Sequence, residues 1–287
     1  MTANPMRPAS LRRSWLFLSA ADEALHARAW ACPADALIAD LEDSTPPHLR
    51  VHARALLPAF VAGSRAAGKV ACVRINPLSG EGGMDVQAVL AARPDAVLLP
   101  KTESPEHVTA LATALAACPG MELVPNIETA AGLVRTHAIA SAHLRVSACL
   151  MASEDMTTSL GAERSREGVE LRYARSRFLV ECKAAGVVPI DAPYTFTDLD
   201  GVERETRFVR RLGYAAKSAV DLAHAATINA VLTPSPEEVA RARTIVSEFE
   251  QAHAQGRRAQ FDGNLLEVPI FLNAKRLIER HEALGMP

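Results

Sequence analysis

The sequence predicts an α/β fold: a (β/α)8 TIM barrel followed by a C-terminal helix and flap extension. Three observations carry this expectation. Short, almost wholly apolar runs recur through the first 220 residues, as strands buried on both faces require. Segments of helical periodicity separate them, which is the alternation of a parallel sheet with crossover helices. Eight such runs can be found, and no GxGxxG follows the first, which disfavours an open doubly wound sheet.

The runs are 15–19 (WLFLS), 36–41 (ALIADL), 70–75 (VACVRI), 95–99 (DAVLL), 121–127 (MELVPNI), 145–151 (RVSACLM), 187–190 (VVPI) and a weaker eighth, 214–220 (YAAKSAV). Before them, Met1 to Arg13 holds prolines and arginines without a long apolar stretch. It reads as a loose tail and not a secretion signal. The glycines at 80, 82 and 83 read as a tight βα turn whose amides are a candidate cradle for a substrate carboxylate. Over 169–185, Leu171, Ala174, Phe178, Cys182 and Ala185 share one helix face. The barrel domain is expected to span 1–233 and the extension 234–287. Pro234 and Pro236 bracket Ser235, with Glu237 and Glu238 following, a strong helix start for 237–253. A polar stretch, QGRRAQ, leads to the flap FDGNLLEVPIF at 261–271 and a last helix from Asn273 to Leu284.

Composition narrows the function classes. Lys+Arg at 31 against Asp+Glu at 33 gives a formal net charge of −2, which argues against a dedicated nucleic-acid binder. No apolar run approaches a membrane span. Cys32, Cys72, Cys118, Cys149 and Cys182 form no CxxC, so free thiols in a reducing, cytoplasmic setting are expected. The nine histidines are scattered and there is no GxSxG, which argues against serine or cysteine hydrolysis.

In a barrel, chemistry sits at the C-terminal ends of the strands. There the sequence places Asp40, Glu42 and Asp43, then Arg74 and Asn76, Lys101, Glu128, Glu154 with Asp155, and Asp191. So many acids at one mouth repel one another unless a cation intervenes. Oxygen ligands favour Mg2+ or Mn2+ over zinc. Glu128 and Asp155, one βα unit apart, are the candidate pair, although Glu154 and Asp155 also suit surface acids that cap the next turn. Arg74, flanked by Val73 and Ile75, needs an anionic partner. It reads either as a structural partner of Glu42 or Asp43, or as a clamp for a substrate carboxylate. Lys101 reads as electrostatic or structural rather than as a Schiff-base lysine.

The ordered segments RRSWLFLSA (12–20), DALIADLEDS (35–44), VRINPLSGEGGMD (73–85), PDAVLLPKTES (94–104), NIETAAGL (126–133), SEDM (153–156), ARSRF (174–178), PIDAPYTFTDLDG (189–201), TPSPEEVARAR (233–243) and FDGNLLEVP (261–269) cover nearly the whole chain. In these the chain resembles the citrate lyase β-subunit-like branch of the HpcH/HpaI aldolase superfamily, which includes malyl-CoA and citramalyl-CoA lyases. The resemblance implies a Mg2+-dependent carbon–carbon lyase acting on a 3-hydroxy acid or its CoA thioester through a metal-stabilised enolate. It implies Glu128 and Asp155 as metal ligands, and Arg74 with Arg13 and Lys101 as substrate-binding residues. Glu42 and Asp43 would hold metal-bound waters or orient Arg74. A homotrimer or hexamer is implied, with Glu267, or the nearby Asp262, reaching a neighbour's site. Two departures stand out: Ser19-Ala20 where the family has a Pro-Gly turn, and Asp221-Leu222 where it has His-Pro. They leave three alternatives open. One is a subunit of a larger complex using an acyl-carrier-bound substrate, another a metal-dependent aldolase on free 2-oxo acids, the third a barrel with lost activity.

Overall fold

The computed structural model describes residues 6–285. Eight parallel strands close into a TIM barrel in sequence order. They are β1 Ser14–Ser19, β2 Ala36–Asp40, β3 Val70–Arg74, β4 Ala96–Leu99, β5 Glu122–Ile127, β6 Ala148–Met151, β7 Val188–Asp191 and β8 Ala216–Ala219. Helices fill the connections: α1 Glu23–Trp30, α2 Arg50–Ala66, α3 Gly82–Ala92, α4 Pro105–Ala114, α5 Ala130–Leu133, α6 Thr136–Ala140, α7 Glu154–Leu160, α8 Arg172–Ala184, α9 Leu199–Leu212 and α10 His224–Leu232. The chain divides into two compact units, the first ending at Leu232 and the second beginning at Thr233. No helix among the described residues is long and apolar enough to cross a membrane.

Alternation along the strands builds two apolar layers. Leu16, Leu37, Val97 and Leu123 join Leu57 of α2, Leu111 of α4 and Phe178 of α8 in one cluster. Trp15, Ile38, Cys72, Leu98, Val124, Leu150 and Ile190 form another made of strand residues alone, which is the filled barrel interior. Continued to the strand ends, the inward parity brings Asp40, Arg74, Asn126 and Glu128 to the mouth.

The segment before β1 is not loose where it is described. Ala9–Leu11 forms a 3-10 turn, and Arg12 is wholly buried. Its guanidinium grips Glu122 at 2.6 and 2.8 Å and lies over the Trp15 ring, plugging the N-terminal end of the barrel. Residues 1–5 of the expected tail lie outside the described residues.

In the second unit, α11 Pro236–Ala254 starts with a capping box on Ser235 and Glu238. The expected flap is a short hairpin, Gln260–Phe261 against Asn264–Leu265, turning through Asp262 and Gly263, both at positive φ. The last helix, α12 Val268–Ala283, begins five residues earlier than periodicity suggests, because Pro269 suits a first helical turn. Leu266 is buried against Ala252 and Ala259. Leu265, Val268, Ile270 and Leu272 stay exposed.

Candidate active site

Asp40 and Arg74 end neighbouring strands and are direct partners in the β2–β3 register. Sharing an inward face, they meet: Arg74 Nε donates to Asp40 Oδ1 at 2.6 Å and Nη2 to Oδ2 at 2.7 Å. This bidentate pair is the anionic anchor that a buried guanidinium needs. The sequence reading placed that anchor on Glu42 or Asp43. Both are secondary, at 2.9 and 3.3 Å, because they lie in the loop beyond the strand. Phe17 of β1 lies beneath, its ring centre 4.9 Å from the guanidinium carbon.

Glu128 follows β5 and is fully buried. Its Oε2 accepts from the Lys101 amide at 3.1 Å, its Oε1 from Asn126 Nδ2 at 3.3 Å, and Arg74 Nη1 stands 3.7 Å away. Lys101 takes a left-handed backbone, φ 48°, to present that amide. Burial pushes the Glu128 carboxyl up to about 7; Arg74 opposes the rise, and repulsion from Glu42 and Asp155 adds to it. Lys101 Nζ donates to Glu42 Oε1 at 2.8 Å, a bond that raises the ammonium pKa. A Schiff-base lysine needs the opposite shift, so Lys101 is electrostatic here.

Asp155 stands in the first turn of α7 and caps nothing. Glu154 is engaged, accepting from Thr195 Oγ1 at 2.6 Å and Arg164 Nε at 3.1 Å. Arg74, Glu128, Asp155 and Asp43 line one cavity of about 290 Å3, completed by Asn126, Ser153 and apolar groups including Leu150. One of the surrounding acceptors, Asn126 Oδ1, is buried without a hydrogen bond. Such an orphaned oxygen beside the buried Glu128 carboxylate suits a cation with ordered water. No group of three or more His, Cys, Asp or Glu side chains among the described residues is placed to hold a metal. Two carboxylates plus water and substrate oxygens is the set Mg2+ commonly takes.

Arg13, Asp191 and the glycine turn lie away from this cavity. Arg13 is at the opposite end of the barrel, where Nε and Nη2 pair with Asp35 at 2.8 and 2.9 Å; it precedes β1 and does not line the cavity that holds Arg74. Asp191 follows the outward parity of β7 and belongs to a buried network with Lys217 (2.6 Å) and Arg175 (2.9 Å). The glycine turn is structural: a Cβ on Gly82 would stand 2.5 Å from the Asn76 carbonyl, and Asp85 accepts from the Asn76 amide at 2.7 Å. Glu267 is exposed at the start of α12, and Asp262 pairs with Arg241 at 3.3 Å. Sequence reasoning overlooked Asn126 and Phe17, which strand alternation back from Glu128 and Ser19 would have found.

The chain is 30% identical over 276 residues to the (3S)-malyl-CoA thioesterase of Cereibacter sphaeroides, covering 95% of each. It is 30% identical over 291 residues to citrate lyase subunit beta of Escherichia coli K12, covering 98% of this chain and 96% of that protein. Among solved structures it resembles protein CitE from Mycobacterium tuberculosis in complex with magnesium, acetoacetate and coenzyme A. The TM-score there is 0.80 at 26% identity, over 94% of this chain and 97% of that one. The HpcH/HpaI aldolase/citrate lyase profile matches residues 13–222, the span that carries Asp40, Arg74, Glu128 and Asp155 on one barrel mouth, and the chain belongs to that family.

Proposed function

We propose that this chain is a Mg2+-dependent carbon–carbon lyase that splits a 3-hydroxyacyl thioester, carried on CoA, into a 2-oxo acid and a shorter acyl thioester. The observation that carries the reading is the buried, raised Glu128 carboxylate with Asp155 and Arg74 on the same cavity. The magnesium and coenzyme A named for the solved CitE structure support it. Glu128 and Asp155 would hold the ion, and Mn2+ satisfies the same ligands. Such an ion, when bound, would supply Lewis-acid stabilisation of the hydroxyl oxygen as it gives up its proton.

The protein's own groups do the rest. Asp40 occupies Arg74 Nε and Nη2, while Nη1 faces Glu42 at 2.9 Å and Glu128 at 3.7 Å; we assign the substrate carboxylate to that Nη1 edge, where it competes with Glu42. Burial raises the Glu42 pKa and the Arg74 and Lys101 charges oppose that rise; Glu42 and Asp43 steady the guanidinium and any ordered water. In cleavage the hydroxyl proton leaves and its oxygen becomes the 2-oxo oxygen. The C–C electron pair passes to the thioester α-carbon, which is then protonated. We assign that proton exchange to Glu267 of a second copy in a homotrimer or hexamer. The exposed Leu265, Val268 and Ile270 around it form a patch that a monomer rarely leaves open. Asp262, paired with Arg241, is less suited.

The likeness to a thioesterase favours a second reading, hydrolysis of the thioester, and the likeness to citrate lyase subunit beta favours an acyl-carrier-bound substrate. One assay separates them. Malyl-, citramalyl- and citryl-thioesters, on CoA and on acyl carrier protein, are offered with and without Mg2+, and 2-oxo acid and free thiol are measured separately. The lyase yields 2-oxo acid without free thiol. Glu128→Gln and Asp155→Asn should lose calorimetric Mg2+ binding and turnover while staying folded. Arg74→Ala mixed with E267A should recover activity in mixed oligomers. No turnover of any thioester together with no Mg2+ binding refutes the reading.

A further inference from the structure

We propose that the 2-oxo fragment held in this cavity is a monocarboxylate with a hydrogen or small alkyl substituent, of the glyoxylate or pyruvate kind, and that dicarboxylates of the oxaloacetate kind are rejected. The inference rests on the lyase reading above and narrows its substrate.

Strand order gives the cavity two unlike sides. Arg74 and Glu128 come from β3 and β5, with Asp43 in the loop after β2, and Asp155 closes that side from the start of α7. Around the remaining arc, from β6 through β8 to β1, the lining side chains Leu150, Val220 and Phe17 are apolar, with Pro193 from the loop after β7; the two hydroxyls on this arc are already engaged, Ser153 donating to the Pro193 carbonyl at 3.1 Å and Thr195 to Glu154 at 2.6 Å. A 2-oxo acid with its carboxylate at Arg74 and its oxo group toward Glu128 and Asp155 turns its remaining substituent to the apolar arc.

The charge inventory decides what that substituent can be. Arg74 is the one cationic side chain among the described residues that line the cavity, and Asp40 already engages two of its nitrogens. Nearby cations are held as well: Lys101 by Glu42 at 2.8 Å, and Arg164 by Glu170 at 2.9 Å and Glu154 at 3.1 Å. Against them stand the lining acids Asp43, Glu128, Glu154 and Asp155, of which a divalent ion offsets only part. A second substrate carboxylate would lose its water against Leu150, Phe17 and Val220 with no cation to meet. A hydrogen or methyl group carries no such cost.

The test uses the full-length, Mg2+-loaded protein. Binding of pyruvate, glyoxylate and freshly prepared oxaloacetate is measured by calorimetry. Cleavage of malyl-, citramalyl- and citryl-thioesters is compared as kcat/KM. The monocarboxylate-yielding substrates should be favoured by about 100-fold or more, a difference of about 2.7 kcal/mol. Val220→Arg, which adds a cation on the apolar arc at a half-exposed position, should narrow that ratio at least about tenfold. Equal use of the citryl thioester by the unsubstituted protein overturns this inference and leaves the lyase reading standing. Absence of Mg2+-dependent binding and turnover for every substrate overturns both. The ratio in the unsubstituted protein is decisive even if V220R fails to fold.

Discussion

Replacing Asp40 with Asn tests how the site is held together. Each Asp40 oxygen accepts twice: Oδ1 from Arg74 Nε at 2.6 Å and the Glu42 amide at 3.1 Å, Oδ2 from Arg74 Nη2 at 2.7 Å and the Ser44 amide at 2.8 Å. Whichever way an Asn amide is turned, its NH2 faces two donors. Arg74 also loses its main counter-charge, keeping Glu42 at 2.9 Å and Glu128 at 3.7 Å. Breaking one side of a buried pair costs about 3–5 kcal/mol, and the remaining acids put D40N at the low end. At about 2–4 °C per kcal/mol for a unit of this size, Tm should fall by roughly 6–12 °C at pH 7. The sign of the pH dependence follows from Asp40 itself. Burial would raise its pKa, but Arg74 outweighs burial, with help from Ser44, and holds the carboxyl below its ordinary range. A depressed folded pKa stabilises above the unfolded value, and that stability is lost as pH falls through the folded value. The Tm gap between D40N and the unsubstituted protein should therefore be full above about pH 5 and shrink toward pH 3. Calorimetric melts over that range measure it. Asp43→Asn, at a side chain 55% exposed and 3.3 Å from Arg74, is the control and should cost under about 1 kcal/mol. A D40N melt within 2 °C of the unsubstituted protein at pH 7 (roughly 1 kcal/mol or less) would refute the anchoring role.

Two further substitutions separate stability from chemistry. Arg13→Met should lower stability by about 3 kcal/mol through its buried partner Asp35; thioester cleavage kinetics of the folded protein should be unchanged, and a loss of kcat/KM would return Arg13 to the site. Lys217→Met leaves the buried Asp191 and Glu205 to share Arg175 alone and should cost about 3–5 kcal/mol; a chemical-denaturation midpoint equal to the unsubstituted protein's would contradict that network.

Much of this protein is legible in its sequence because strands buried on both faces leave unbroken apolar runs. All eight barrel strands fall within or beside those runs, and even the weak 214–220 segment contains β8. Glu128, Asp155 and Arg74 could be nominated because charged residues ending apolar runs must meet something at the barrel mouth. Tertiary structure decided which partner each one has. Asp40 and Glu42 are close in sequence, but only Asp40 is in register with Arg74. Asp191 ends its strand as Arg74 does, yet its outward parity sends it to Lys217, since one position along a strand exchanges the two faces. Arg13 directly follows Arg12, and neither lies at the mouth, because both precede β1 and a barrel separates strand beginnings from strand ends. Sequence order and alternation therefore determined the barrel and the residue types at its mouth. Register between neighbouring strands, set by pairing that is distant in sequence, decided which of those residues form the site.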